Sequence, residues 1–450
     1  TGKFIDVERI LPSLKAQEYS YIYVMGVYQL EKPWKVKGQA NVDSSIFSPL
    51  AFTISEDLGG ERAFLSLVRE AKRNGIEVIV DVIPHVNQNS EELPEYAFVK
   101  VRSPEGPIAR RFATDGSINH EPPFNPTQWL DSVTLNWRDE RVLSAYVELV
   151  KRLSRMGVKG IRMDVAHNFG TMLPVDRSLD GTQKLFGQLS SWERGANGGY
   201  KVVNEWFNEA ANPLLTRIVN EVSAQDPEFV FIGENYGRYL QVIKSGFIPM
   251  DSGTHDDLHS VICEGAPVGK INGHFRWLLG MLPEGAQVVT ALETHDYNRL
   301  MDRWKNYGPA RIKAAVWIWL ATSRGALSVY NRQEEGEVHR MMIDNLTNHD
   351  HAEAQRQKLY AQLDFERAFG ETIQGFYRRA LSFYDAHSCL RTGENYIFDT
   401  RNERVFAIAR YSDSENLIVA VNTGSGVEFC GLDLMPLLGK LPVQDDAGRF

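Results

Sequence analysis

The 450-residue sequence is poor in cysteine and has no excess of basic residues. Its cysteines, Cys263, Cys389 and Cys430, are far apart, so they indicate neither a disulfide framework nor a metal clip, and they slightly favour a reducing, cytoplasmic compartment. The net charge is −9 without any block of Lys or Arg, which argues against a surface for nucleic acid or anionic membranes. No apolar run reaches about 18 residues, so no membrane span is predicted. The first residues lack the regions of a signal peptide, and the compartment stays open.

Motifs for common cofactors are missing as well. No GxGxxG or GxxxxGK[ST] motif follows an apolar run, which weakens the case for a doubly wound, nucleotide-binding open sheet. The zinc motif HExxH is absent, and NHDHAE at 348–353 lies in a polar region that we interpret as a solvated loop. We therefore predict no metal site.

What the sequence does contain is a regular alternation of apolar runs and helical patterns. Amphipathic stretches such as 61–75 and 142–157 lie between the runs and end on glycine. Runs that are apolar throughout and alternate with helices indicate a parallel sheet covered on both faces. Two weaker runs near 50–54 and 247–251 join six clear ones to fit an α/β fold of the (β/α)8 TIM-barrel type, the clear ones being 21–27, 76–84, 158–164, 229–234, 287–293 and 326–330.

The chain also divides by composition. Residues 1–86 and 140–388 would form the barrel. Residues 87–139 are polar, rich in Pro and turn residues, and too long for an ordinary βα loop, so we predict a small excursion domain after the third strand. From 389 to 450 the pattern changes to short alternating strands, which predicts a C-terminal β-sandwich domain.

Charged residues stand at the ends of several apolar runs. Side chains two apart on a strand point to the same side, and in a parallel barrel the carboxyl ends of the strands carry the active site. A guanidinium beside a carboxylate keeps it ionised and oriented, as a covalent nucleophile requires. A buried structural ion pair is the alternative for any single pair, but four strand ends that bring acids to one mouth favour a site. The residues concerned are Asp81, Arg162, Asp164, Glu234, His295 and Asp296.

Converging carboxylates point either to metal chemistry or to glycoside cleavage. A metal-dependent barrel of the enolase type would need a lysine base at these strand ends, and the sequence has none there. Glycoside cleavage is therefore favoured.

Four short motifs then resemble the signatures of the alpha-amylase family, glycoside hydrolase family 13. DVIPHVN (81–87), GIRMDVAH (160–167), FIGEN (231–235) and ETHDYNR (293–299) follow in the family's order with family-like spacing. Supporting matches are EDLGGERAF (56–64), LNWRDERV (135–142) and ALSVYNRQEEGE (326–337). The resemblance covers nearly the whole chain, including the excursion and the C-terminal sandwich.

The resemblance implies a retaining enzyme whose partner is an oligosaccharide or polysaccharide of the α-glucan type. Asp164 would form a covalent glycosyl-enzyme, Glu234 would act as acid and then base, and Asp296 would bind hydroxyls of the distorted sugar. For retention the two carboxyl groups should lie about 5–5.5 Å apart. We expect surroundings that raise the pKa of Glu234, and an Arg162 that lowers the pKa of Asp164. Further substrate contacts are expected from Arg162, His295, Asp81, His85, His167 and Arg299.

Three aromatic residues near the predicted mouth are candidates for surfaces on which sugars stack. They are Trp137, Tyr236 and Tyr297, and for each one taken singly core packing is favoured over sugar stacking.

The first signature departs from the family pattern. Where the family usually has Asn followed by His, this sequence has His85 and Val86. The usual Asn often helps to hold a structural calcium ion, so the departure weakens the expectation of that ion, and no cofactor is expected to be required. The tyrosine that commonly stacks on the sugar from the second strand is not evident either, and SPLAFTIS (48–55) stands in its place.

Three functions stay open at this point. Hydrolysis of α-glucans is slightly ahead of transfer by a 4-α-glucanotransferase or maltosyltransferase, in which a sugar acceptor replaces water at the same catalytic residues. The third is a catalytically silent, amylase-like binding protein. Its mark would be loss of Asp164 or Glu234, and both are present.

Overall fold

The computed structural model of the chain describes residues 2–30, 46–87, 90–98, 101–103, 106–110, 132–137, 139–169, 182–185, 188–194, 200–204, 211–236, 239–251, 253–296, 299–301, 308–338 and 351–437. The chain forms two compact units, the first ending at Phe247 and the second beginning at Ile248. Among the helices so described, none combines the length and the apolar character needed to cross a bilayer.

The first unit contains helices and strands in alternation. Its strands are β1 (Tyr21–Val24), β2 (Tyr28–Leu30), β3 (Pro49–Ile54), β4 (Glu77–Val82), β5 (His85–Asn87), β6 (Val101–Ser103), β7 (Gly106–Arg110), β8 (Ser132–Thr134), β9 (Gly160–Met163), β10 (Thr182–Leu185), β11 (Gln188–Arg194), β12 (Tyr200–Asn204) and β13 (Val230–Asn235). Its helices are α1 (Phe4–Ala16), α2 (Gly60–Arg73), α3 (Glu140–Arg155), α4 (Pro213–Ser223) and α5 (Tyr239–Lys244).

Strands β1, β4, β9 and β13 pair in parallel in that order. Strands β4 and β9 are buried along nearly their whole length, which explains why their sequences are apolar throughout rather than alternating. The two amphipathic stretches form α2 and α3 as predicted. Helix α2 buries a stripe that includes Phe64, Leu67 and Ala71. Helix α3 begins after Asp139, whose side chain accepts a hydrogen bond from the Arg141 N–H at 3.0 Å.

The other strands of the first unit pair antiparallel, β2 with β3, β5 with β8, β6 with β7, and β10 to β12 as one sheet. The run near 50–54 is therefore a strand, but it is not one of the parallel strands. It begins at Pro49, which has no N–H for a ladder and suits an edge. The sheet at 182–204 has no counterpart in the sequence analysis. Within the predicted excursion domain, β6 to β8 are formed, and much of the rest of 87–139 lies outside the described residues.

The second unit also begins with parallel strands, in the order β14 (Ile248–Asp251), β15 (Val289–Ala291) and β16 (Leu327–Ser328). The weaker run near 247–251 forms β14 as predicted. Helix α8 (Pro309–Thr322) is buried on almost every side, and its stretch AAVWIWLAT is accordingly apolar all round. The elements of this unit are β14 (Ile248–Asp251), β15 (Val289–Ala291), β16 (Leu327–Ser328), β17 (Glu394–Ile397), β18 (Val405–Tyr411), β19 (Asn416–Asn422), α6 (Gly253–Glu264), α7 (Gly269–Met281), α8 (Pro309–Thr322), α9 (His351–Phe369), α10 (Ile373–Ala386) and α11 (Ser388–Thr392).

The last three strands form an antiparallel sheet in the order β17, β18 and β19. Every residue of β18 is buried, whereas β19 alternates between exposed and half-buried positions along most of its length. Within this unit the sheet is tied to the end of α8 by Arg410, whose guanidinium donates to the carbonyls of Ala321, Ser323 and Gly393 at 2.9, 2.6 and 3.3 Å. The sheet fits the predicted C-terminal β-sandwich.

Within the described residues, the parallel strands number four in the first unit and three in the second, with helices between them. Together with the C-terminal antiparallel sheet they confirm the predicted barrel-type α/β fold class. The predicted boundaries of the three domains stay predictions.

Candidate active site

Four charged side chains meet at the carboxyl ends of β4, β9 and β13. Arg162 lies in their middle: its Nη1 is 2.6 Å from Asp164 Oδ1 and 3.2 Å from Asp81 Oδ1, and its Nη2 is 2.6 Å from Glu234 Oε1. All four are buried, Asp164 being 7% and Glu234 5% exposed. We call Asp81, Arg162, Asp164 and Glu234 the Arg162 cluster. One guanidinium thus brings together three of the acids predicted at strand ends.

The register of the parallel strands explains this convergence. Asp81 lies directly opposite Arg162 in the pairing of β4 with β9. In the pairing of β9 with β13, Arg162 lies opposite Ile232, so Glu234 stands two residues further along and on the same side. Asp164 likewise follows Arg162 by two positions, and the hydrogen bond between them confirms that both point the same way.

Burial dominates the electrostatics of the cluster. It raises the pKa of Asp81 to about 6, although Arg162 opposes that shift. Burial and then the charge of Glu234 raise the pKa of Asp164 well above its usual range, and Arg162 offsets this only in part. Arg162 does lower the pKa of Asp164, as expected, but burial and the charge of Glu234 outweigh its effect, so the net direction is upward. The buried carboxyl groups of the cluster influence one another's titration, and burial favours their protonated forms.

The chain just after Asp164 folds back onto Glu234. The Val165 N–H donates to Glu234 Oε2 at 2.7 Å, and His167 Nδ1 lies 3.2 Å from the Glu234 carbonyl oxygen. The Glu234 carboxylate is therefore hydrogen-bonded on both oxygens, by Arg162 on one and by a backbone amide on the other. His167, predicted as a substrate contact, is placed beside the acid.

Two further side chains border the cluster. His85 Nε2 lies 3.9 Å from Asp164 Oδ2, and burial lowers the pKa of His85 to about 4, so the ring is neutral at physiological pH. The Tyr23 hydroxyl donates to Asp81 Oδ2 at 2.7 Å. Sequence reasoning missed Tyr23, because YIYV reads simply as an apolar strand. Its position two residues after Tyr21, on a strand next to β4, was the available signal.

The second unit holds the remaining predicted residues. His295 Nε2 is 3.4 Å from Asp296 Oδ2, and the Asp296 side chain is 30% exposed. Arg299 is buried: its Nη1 donates to Glu293 Oε2 at 2.9 Å, and its guanidinium lies 4.1 Å from the centre of the Tyr330 ring. Burial raises the pKa of Glu293, with Arg299 opposing. Glu293 was missed, although it opens the same motif as Arg299.

The predicted stacking aromatics fall into three cases. Trp137 is 5% exposed and packs against Tyr146 and Phe169, with ring centres 5.1 and 4.6 Å away, so the favoured interpretation of core packing is confirmed and Trp137 is not a sugar-stacking surface. Tyr236 is 48% exposed and lies edge-on to His167. Tyr297 lies outside the described residues.

The residues at the first signature do not suit a calcium ion. Calcium prefers oxygen ligands, and the position usually taken by Asn carries the His85 ring, which presents nitrogen atoms. No group of three or more His, Cys, Asp or Glu side chains suited to a metal ion occurs among the described residues.

Comparisons with known proteins bear on the family and the fold of the chain. The family model for the alpha amylase catalytic domain matches residues 51–369. A debranching enzyme from Nostoc punctiforme is similar in structure, with 16% identity, a TM-score of 0.64, and coverage of 94% of this chain and 81% of that chain. No curated protein sequence matches the chain.

Two further solved structures show the same fold. A maltogenic alpha-amylase from Thermotoga neapolitana has 15% identity, a TM-score of 0.65, and coverage of 94% of this chain and 83% of that chain. An alpha-amylase from H. orenii has 17% identity, a TM-score of 0.64, and coverage of 93% of this chain and 85% of that chain. At such identities the similarity shows the fold alone.

Proposed function

The chain belongs to the alpha-amylase family, and we propose that it is a retaining α-glycoside hydrolase acting on α-glucans or maltooligosaccharides through a covalent glycosyl-aspartate. The observation that supports this most is the contact of Asp164 and Glu234 with the two Nη atoms of Arg162, each at 2.6 Å. Two carboxyl groups held on one guanidinium provide a nucleophile and a proton donor within reach of a single sugar. The match of residues 51–369 to the alpha amylase catalytic domain supports the substrate class.

In the first half-reaction, Asp164 attacks the anomeric carbon while Glu234 gives its proton to the departing glycosidic oxygen. The carbon–oxygen bond of the glycoside breaks, and an ester bond to Asp164 forms. This step requires the charge on Asp164 and the proton on Glu234. Arg162 Nη1 is the group that stabilises the ionised nucleophile, because it already donates to Asp164 Oδ1.

In the second half-reaction, Glu234 is ionised and takes a proton from an incoming water molecule. The oxygen of that water attacks the anomeric carbon, the ester breaks, and Asp164 leaves as a carboxylate. A sugar hydroxyl in place of water gives transfer instead of hydrolysis with the same groups.

The other predicted residues take supporting parts in this proposal. Asp81 holds Arg162 in place, and Asp296 and His295 are assigned to hydroxyls of the distorted sugar on the resemblance to the family. His85, His167 and Arg299 are assigned to the substrate on the resemblance to the family. We propose that no cofactor is required, so treatment with EDTA should leave activity unchanged.

Product analysis tests the reaction class. Incubation with maltoheptaose in water, followed by chromatography, should show shorter oligosaccharides and a matching gain of reducing ends. Redistribution of chain lengths with little gain of reducing ends would support a glucanotransferase or maltosyltransferase. A wild-type protein that does neither, on maltoheptaose or on trehalose, sucrose and isomaltose, would support the silent binding protein.

Trapping tests the two roles separately. An α-maltosyl fluoride needs no proton donor for departure, so Glu234→Gln should form the glycosyl-enzyme and then accumulate it. Mass spectrometry of a digest should place the maltosyl group on the peptide that contains Asp164. Asp164→Asn should form no adduct, and Glu228→Gln, an exposed carboxylate paired with Lys159, should turn over as the wild type does. An adduct on another residue would overturn the assignment.

A further inference from the structure

Val165 has a backbone conformation that its side chain disfavours. Its φ is +42° and its ψ is +37°, in the left-handed region. A β-branched residue is rarely found there, because its side chain crowds the backbone. Such a conformation persists only where the surrounding structure enforces it, and it occurs preferentially at functional sites.

Three contacts with the end of β13 hold the segment that contains this residue. The Val165 N–H donates to Glu234 Oε2 at 2.7 Å. His167 Nδ1 is 3.2 Å from the Glu234 carbonyl oxygen. Ala166 packs so closely on Gly233 that a Cβ at Gly233 would lie 2.9 Å from the Ala166 Cβ. The 165–167 segment therefore contacts Gly233 and also both the main chain and the carboxylate of Glu234.

We propose that Val165 is a positioning residue for Glu234, and that its left-handed backbone serves to aim one amide N–H at the proton donor. This rests on the proposed function of Glu234 and deepens it. The amide holds Oε2, Arg162 holds Oε1, and the carboxyl group is left with one orientation. With Ala166 and His167 held against Gly233 and Glu234, a right-handed or extended conformation at 165 would rotate the 164–165 peptide plane and turn its N–H away from Oε2.

The amide also sets the acidity of Glu234. A hydrogen bond donated to a carboxylate favours the ionised form, so its removal should raise the pKa of the acid. Glu234 would then stay protonated to higher pH, and the basic limb of the pH profile of kcat/KM would move to higher pH. Among the residues that the structure describes, the charged and titratable groups around Glu234 include Arg162, Asp164, Asp81, His85 and His167.

Three changes at position 165 separate the N–H from the side chain. Val165→Ala keeps the N–H and a Cβ, and kcat should stay within about threefold of the wild type. Val165→Gly keeps the N–H but frees the backbone, since glycine adopts many conformations. We expect its kcat to fall about tenfold with KM within about twofold, while Tm is not lowered because the strain has gone.

Replacing Val165 by the corresponding α-hydroxy acid turns the amide bond between residues 164 and 165 into an ester. This change removes the N–H and keeps the valine side chain. It should move the basic limb of kcat/KM upward by about half a pH unit or more. The matched control is the same ester at Ala166, whose N–H does not bind Glu234, and its profile should match the wild type. An ester at 165 with an unchanged basic limb would overturn the proposal.

A readout without turnover keeps this test apart from that of the proposed function. With 13C-labelled glutamate, the carboxyl signal of Glu234 can be assigned by its absence in Glu234→Gln and followed through a pH titration. The ester at 165 should raise that pKa whether or not the protein cleaves glucans. A raised pKa in a protein without glycosidase activity would contradict the proposed function alone. An unchanged pKa in an active enzyme would contradict the role of Val165 alone.

Discussion

Arg162 faces three carboxylates with a single positive charge, and it is 3% exposed. Burying charge is unfavourable unless it is fully paired, so this arrangement does not stabilise the fold at every pH. Its benefit is chemical: two acids are held in a fixed geometry where water is scarce. Substitutions in the Arg162 cluster should therefore change the free energy of unfolding as well as the kinetic constants.

Asp81 gives the clearest such prediction. Burial raises its pKa from 3.8 to about 6, so between these values the folded state binds a proton that the unfolded state has released. The stabilising contribution is complete below about pH 4 and is lost as pH rises through about 6. The total loss is about 3 kcal/mol by linkage.

The measurement compares the wild type with Asp81→Asn by urea unfolding from pH 4 to 7.5. The free energy of unfolding of the wild type, relative to the variant, should fall by about 2.5 kcal/mol over this range. Glu91→Gln, an exposed carboxylate, should show no such trend against the wild type. A difference that is constant or rises with pH would contradict the buried, proton-retaining cluster.

At the scale of elements, the pairing of β9 with β13 brings Glu234 to Arg162. The lack of a side chain at Gly160 permits this pairing. A Cβ at Gly160 would lie 2.5 Å from the Val230 carbonyl oxygen and 2.8 Å from its Cβ, both inside contact distance. We expect Gly160→Ala to lower the free energy of unfolding by about 3 kcal/mol or to prevent folding.

Gly280 on helix α7 is the matched control, because a Cβ there meets nothing within 4 Å. Gly280→Ala should raise the free energy of unfolding by about 0.5–1 kcal/mol, since alanine favours a helix. Denaturant titration of both variants decides the matter. Similar effects of the two substitutions would mean that the contact at Gly160 does not constrain the strands.

The C-terminal sheet depends on a different buried charge. Arg410 donates to three carbonyl groups, and burial lowers its pKa to about 10, so it stays charged at neutral pH. Arg410→Met would leave those carbonyls without their donors, and we expect a loss of about 2–4 kcal/mol. Arg404→Met, which removes one hydrogen bond to the Gly265 carbonyl at a half-buried position, should lose less. Equal losses in chemical denaturation would contradict this role.

At the scale of the whole molecule, the net charge of −9 should not attract or repel the substrate if the substrate is a neutral glucan. Electrostatic steering requires a charged ligand and weakens with salt. We therefore expect kcat/KM on maltooligosaccharides to change less than about twofold between low and high NaCl. A steep fall with salt would point to a charged substrate instead.

Much of the fold could be predicted from the sequence, because several of the parallel strands are buried and therefore apolar throughout. The runs around Ile79 and Ile161 are of this kind, and helices α2 and α3 were recognisable by their amphipathic pattern instead. The strand at Pro49–Ile54 has the same composition, and composition does not distinguish an antiparallel pair from a parallel one. The sheet at 182–204 was missed because its residues are mostly polar.

The site divides in the same way. Asp81, Asp164 and Glu234 could be predicted, because strand ends bring charges to one edge of a parallel sheet. The raised pKa of Asp164 depends on its burial and on the nearby charge of Glu234, which are properties of the folded chain. The packing partner of Trp137, the ring of Phe169, is likewise fixed only by the tertiary structure.

The wholly buried strand Val405–Tyr411 has a bearing on genetics. In its unit, β18 and β19 cover helix α8, and Arg410 closes the end of that helix. A stop codon ahead of position 405 would spare every reacting group named above and still leave α8 uncovered. Such an allele should behave as a loss of function, with the polypeptide degraded rather than merely inactive.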